Sequence, residues 1–223
     1  MDNIWYFEQV NLFAILCPNK FGHYAGSHEI KSYEKGDFVY FTEDPAKNIF
    51  LISNGKVKIL NDTEPGEEVV KSILSEGDIF GEMVVLGEEK RSDFAPVIEN
   101  DTMVYQMDIS ELEGLMLDNK KFAVTINKII GMRIKKLEWR LDALVFKDVR
   151  TRIVEFDMDL AKDSGTQKDQ GMHVAHFYAH KDIADLVGTS RQTVTTTFND
   201  LKNEGLIEFK RKEIYIPDPR SLY

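Results

Sequence analysis

Cysteine is nearly absent: Cys17 is the only one in 223 residues. A single thiol forms no intrachain disulfide, completes no cysteine-rich zinc site and cannot hold a four-cysteine iron–sulfur cluster within one subunit. Long apolar runs are missing too, none approaching the ~20 residues a membrane-spanning helix needs. The start, Met1-Asp2-Asn3, lacks the basic flank and small-residue cleavage site of a signal peptide. A cytoplasmic location with no membrane partner is expected. No G-x-S-x-G elbow, Walker loop, zinc-protease motif or dinucleotide fingerprint occurs, so no catalytic residue is assigned and an enzyme is not expected. His23 and His28, the histidines of the N-terminal half, precede the strand-rich region and read as loop residues rather than haem ligands. His173 and His176 would point to opposite faces of a strand, which argues against one metal ion held with His180.

What is present is the composition of a folded globular chain, 43% hydrophobic and 30% charged, with a length that suggests two domains. The net charge of −10 at first argues against nucleic acid. From Val149 onward, however, 11 Lys and Arg face 12 Asp and Glu, so the acidity lies almost wholly in the first 148 residues. A local positive face is enough to neutralise phosphates.

Residues 1 to about 20, with Ile4, Phe7, Val10, Phe13 and Ile15, predict one or two amphipathic helices ending at Pro18. From Glu29 to Met107 short runs such as Phe38-Val39-Tyr40-Phe41 and Ile49-Phe50-Leu51-Ile52 alternate with Gly36-Asp37, Asn54-Gly55 and Gly77-Asp78. Such spacing predicts an all-β roll, barrel or sandwich. Between about Asn119 and Phe146, Ile126, Ile130, Ile134, Leu137, Leu141 and Leu144 recur at steps of three and four, predicting one helix of roughly 40 Å. Its apolar stripe suits either its own domain or a second copy, and its length favours the copy. The polar stretch 162–171 reads as an exposed loop, followed by a strand from about His173 to Tyr178.

Lys181-Asp182-Ile183-Ala184-Asp185-Leu186-Val187-Gly188-Thr189-Ser190-Arg191-Gln192-Thr193-Val194 carries the strongest local pattern. Ala184 allows two helices to approach, Gly188 takes the positive φ of the turn, and Val194 packs back from the second helix. Ser190 is placed to cap that helix, leaving Arg191, Gln192, Thr195 and Thr196 on its exposed N-terminal face. Arg and Gln match guanine and adenine edges, and Thr a thymine methyl or a phosphate. Gly205 ends the helix, and a hairpin follows whose tip, Lys210-Arg211-Lys212, suits backbone phosphates.

These parts, in this order from about residue 20 to 217, resemble the CRP/FNR superfamily, named for the cyclic-AMP receptor protein and the oxygen regulator of fumarate and nitrate reduction. Gly77-Asp78-Ile79-Phe80-Gly81-Glu82 with Arg91-Ser92 is similar to its phosphate-binding cassette. The segment 146–153 matches its hinge, and Ser190-Arg191-Gln192-Thr193-Val194 the start of its recognition helix. The resemblance implies an α+β architecture: a cyclic-nucleotide-binding-type β-roll over 1–118, a long dimerisation helix and hinge over 119–147, and a winged helix-turn-helix over 148–223. It implies a transcription regulator binding a near-palindromic DNA site as a homodimer through 119–147, with RNA polymerase a partner if it activates. His180 falls at a family position expected to meet a DNA phosphate.

Carried over, Gly81 would cradle a cyclic phosphate, Glu82 take a ribose hydroxyl, and Arg91 with Ser92 hold the phosphate. Two departures weigh against cyclic AMP. Asp93 adds a negative charge beside the phosphate position. Leu137 and Glu138 stand where family members use hydroxyl residues to bond adenine. Cyclic AMP itself, another small or hydrophobic effector, a constitutive regulator with an empty pocket, and a cyclic-nucleotide module that does not bind DNA all stay open.

Overall fold

Ile49, Phe50, Leu51 and Ile52 are all buried, so strand β2 (Asn48–Asn54) must be covered on both faces. The computed structural model describes residues 29–64, 66–168, 171–175, 178–210 and 213–222. The expected N-terminal helices, Cys17, His23, His28, His176, Arg211 and Lys212 lie outside them.

Contacts divide the chain into two units between Met132 and Arg133. The first holds β1 (Glu29–Tyr33), β2, β3 (Val57–Glu64), β4 (Glu67–Leu74), β5 (Ile79–Phe80), a 3₁₀ turn (Glu82–Leu86), β6 (Thr102–Asp108) and α1 (Ile109–Asp118). Its larger sheet runs β1-β6-β2-β5, every pair antiparallel, beside the β3–β4 hairpin. Bridges Val57↔Val97 and Leu60↔Phe94 extend the β3 edge, giving the expected roll. On one face of β2, Ile49 and Leu51 join Tyr105, Met107, Leu112 and Leu115. On the other, Phe50 stacks on both Tyr40 and Phe80, with ring centroids 5.5 and 5.1 Å away, and those two rings lie 6.1 Å from each other. Burying each such side chain contributes ~1.5–3 kcal/mol.

Helix α2 (Lys120–Phe146) is unbroken across the division between units. Its predicted stripe splits in two: Ile126 and Ile130 pack on the roll core, whereas Ile134, Leu137, Leu141 and Leu144 are exposed. Periodicity alone treats the six as one face because their steps of three and four run on unbroken.

The second unit continues with α3 (Val149–Ser164), β7 (Gly165–Lys168), β8 (Gly171–Ala175), α4 (His180–Val187), α5 (Arg191–Asn203), β9 (Glu208–Lys210), β10 (Glu213–Ile216) and a 3₁₀ turn (Pro219–Leu222). The sheet order is β7-β8-β10-β9. Of the stretch expected as a loop, 162–164 end α3 and 165–168 form a strand paired with β8, Thr166 opposite His173. Thr166 and Gln167 are both exposed, so β7 has no inward apolar residue to mark its period. Ile183, Ala184, Val187, Val194, Phe198 and Leu201 are essentially solvent-free and form the helix-turn-helix core.

Candidate nucleic-acid interface

Recognition-type geometry begins at Ser190. Its Oγ accepts from the Thr193 amide at 3.1 Å, capping α5 as expected. Gly188 adopts φ +72 and ends α4, and its amide donates to the Ala184 carbonyl. Arg191, Gln192 and Thr196 are exposed on the first turns of α5. Thr195 is half-buried, and its hydroxyl donates to the Arg191 carbonyl at 2.9 Å. His180, the first residue of α4, places Nδ1 2.8 Å from the same hydroxyl. Burial lowers the His180 pKa, and the charge of Arg191 lowers it further. Lys210 is exposed at the end of β9, where the hairpin leads toward its tip.

In the roll, the cassette residues gather around the Gly81 turn. Gly81 takes φ 73 just ahead of the 3₁₀ turn, and Glu82 follows half-buried. Arg91 is only 2% exposed. Its Nη1 donates to the Gly81 carbonyl at 2.9 Å and its Nη2 to the Asn48 carbonyl. The guanidinium also lies 4.7 Å from the Tyr40 ring centre and 5.5 Å from that of Phe50. A charge held this way braces the roll. Ser92 is exposed. Asp93 accepts from the Tyr40 hydroxyl at 2.9 Å and pairs with Lys71 at 3.1 Å, so its charge has partners of its own. Burial, reinforced by Asp93, raises the Tyr40 pKa. Leu137 and Glu138 are exposed on the part of α2 that belongs to the other unit.

Comparison with known proteins places both halves. The family model for a cyclic nucleotide-binding domain matches residues 30–119, and that for a Crp-like helix-turn-helix domain matches 151–223. The chain belongs to the CRP/FNR superfamily. It is 27% identical to the global nitrogen regulator of Synechococcus elongatus, over 87% of this chain and 88% of that one. It is 28% identical to a CRP-like cAMP-activated global transcriptional regulator of Mycobacterium tuberculosis, over 85% and 84%. Among solved structures, a CooA mutant from Carboxydothermus hydrogenoformans superposes with TM-score 0.80 and 26% identity, covering 99% and 97%. The mycobacterial relative is named a transcriptional regulator and the cyanobacterial one a global regulator, and this CRP/FNR chain is a transcription regulator by family.

One working residue of this CRP/FNR regulator carried no role in the sequence reading. Arg152 is buried on α3, and its guanidinium donates to the carbonyls of Lys147 at 2.8 Å, Val187 at 2.9 Å and Gly188 at 3.1 Å. It ties the hinge to the turn of the helix-turn-helix. The signal was an arginine next to Ile153 on the apolar side of a helix capped by Asp148, whose side chain accepts from the Thr151 amide at 2.7 Å. Nothing in sequence spacing names carbonyls at 187 and 188 as its partners.

Proposed function

We propose that this CRP/FNR regulator binds a near-palindromic DNA site as a homodimer, in the cytoplasm and without enzymatic activity, α5 entering the major groove and the β9–β10 hairpin meeting phosphates. The observation that carries this is the joint exposure of Arg191, Gln192 and Thr196 on the first turns of the Ser190-capped helix. Exposed Ile134, Leu137 and Leu141 support a second copy against α2. If the regulator activates, RNA polymerase is a further partner. Gel shifts against genomic fragments test the proposal. Arg191→Ala is expected to weaken specific binding by ~1–3 kcal/mol and relax one base position. Failure of the wild-type chain to shift any fragment, with or without nucleotides, would overturn it.

Of the readings left open for the roll, the constitutive regulator is favoured by Arg91. The cyclic phosphate of the family's ligand needs a cation facing the Gly81 turn, and here that cation is bonded to the carbonyls of Gly81 and Asn48. That engagement of Arg91, together with a Leu137–Glu138 pair that offers adenine no hydroxyl, supports an empty pocket over cyclic AMP. A thermal-shift panel of cyclic nucleotides decides it. A ligand at ~100 times its dissociation constant adds roughly 2.7 kcal/mol, so an unmoved melt is expected and a clear rise with any cyclic nucleotide would refute this reading.

A further inference from the structure

The hydroxyl of Thr195 has one proton, and it goes to the Arg191 carbonyl at 2.9 Å. The 2.8 Å contact between that oxygen and His180 Nδ1 is then a hydrogen bond only if Nδ1 carries the hydrogen and donates. Burial and the Arg191 charge favour the neutral ring, which has a single N–H, so Nε2 is left bare. The ring itself is fixed from two further elements. It meets Phe198 of α5 edge-on at 5.2 Å and Phe209 of β9 at 6.1 Å, and those two rings lie 5.4 Å apart. His180 therefore joins the first helix of the motif, the recognition helix and the wing at one point.

We propose that His180 is a positioning residue for base readout: by donating from Nδ1 it locks the Thr195 hydroxyl inward, so that α5 reads thymine through the Thr195 methyl group. A hydroxyl whose proton is already committed has none to give to a phosphate oxygen or to a purine acceptor. What Thr195 retains for a partner is apolar contact, and the thymine C5-methyl is the matching surface in the major groove. The role of Thr195 is thereby separated from that of Arg191 and Gln192, which keep exposed polar ends. This inference rests on the DNA-binding proposal above and assigns a chemistry to one position within it.

Uracil substitution tests it, because uracil removes only the methyl. With full-length protein and a duplex selected by the wild type from random sequence, each thymine of a half-site is replaced in turn by deoxyuridine. One position is expected to lose about fourfold in affinity, the worth of one buried methyl. Asn places an amide nitrogen near the position of Nδ1, whereas Gln places it near Nε2. His180→Asn should keep the uracil sensitivity and His180→Gln should abolish it while still binding the duplex. Nitrogen-15 imidazole spectra of the wild type, which need no variant to fold, should show the Nδ1–H tautomer. A flat uracil scan in a wild type that binds DNA, or an Nε2–H tautomer, overturns this inference alone. A wild type that binds no duplex overturns the DNA-binding proposal with it.

Discussion

Of the charged side chains buried on α3, Arg152 and Asp157 meet burial in opposite ways. Arg152 has three carbonyl partners. Asp157, 2% exposed, has no hydrogen-bond partner for either oxygen among the described residues. Burial accordingly raises its pKa well above the ordinary 3.8. Above that pH the folded chain holds a proton that the unfolded chain has released, so Asp157 makes stability fall as pH rises toward the folded value. Leu has the same branching without the polar atoms. Asp157→Leu is expected to stabilise by about 1–3 kcal/mol at pH 7.5, with the gap closing toward pH 4. Urea unfolding at the two pH values measures this, and a variant no more stable than wild type at pH 7.5 would contradict it. Neither outcome for a buried charge is visible in sequence: Asp157 and Arg152 look alike as polar interruptions of an apolar helix face. Arg91 is a similar case in the roll, where its buried side chain bonds two backbone carbonyls that its motif does not name.

Elements were legible where a turn imposes a residue type. Gly188 is such a place: an L residue at φ +72 costs roughly 1–2 kcal/mol. A Cβ there would also stand 2.6 Å from Leu144 Cδ2 near the end of α2. Gly188→Ala should therefore lower the melting temperature by more than the backbone cost alone. Adding Leu144→Ala should recover the steric part and leave the backbone part, and a double-mutant cycle separates the two. Strictly additive effects would show that the contact carries no strain. The pattern around Ala184, Gly188, Ser190 and Val194 announced this turn because each residue type answers a geometric demand. β7 answers to pairing alone. Its glycine and three polar residues pair with β8 through their backbone, which any sequence supplies, so nothing distinguished it from a loop.

At the scale of the whole molecule the long helix belongs to both units, and its stripe changes task along its length. The sequence showed the stripe but not the point of exchange near Met132, because that depends on where the roll core ends. Leu137→Asp with Leu141→Asp places charge on the exposed half only. The pair is expected to give monomers by sedimentation and to weaken DNA binding steeply, since two half-sites are no longer engaged as one linked event, while circular dichroism stays that of a folded chain. A dimer that persists in the double variant would remove α2 from the interface. Beyond Leu144, the guanidinium of Arg152 takes the last carbonyl of the hinge together with the two carbonyls that close α4. Segments some forty residues apart thereby share one lock. Fraying of either is expected to cost the other its closure, so amide exchange at both should report a single opening.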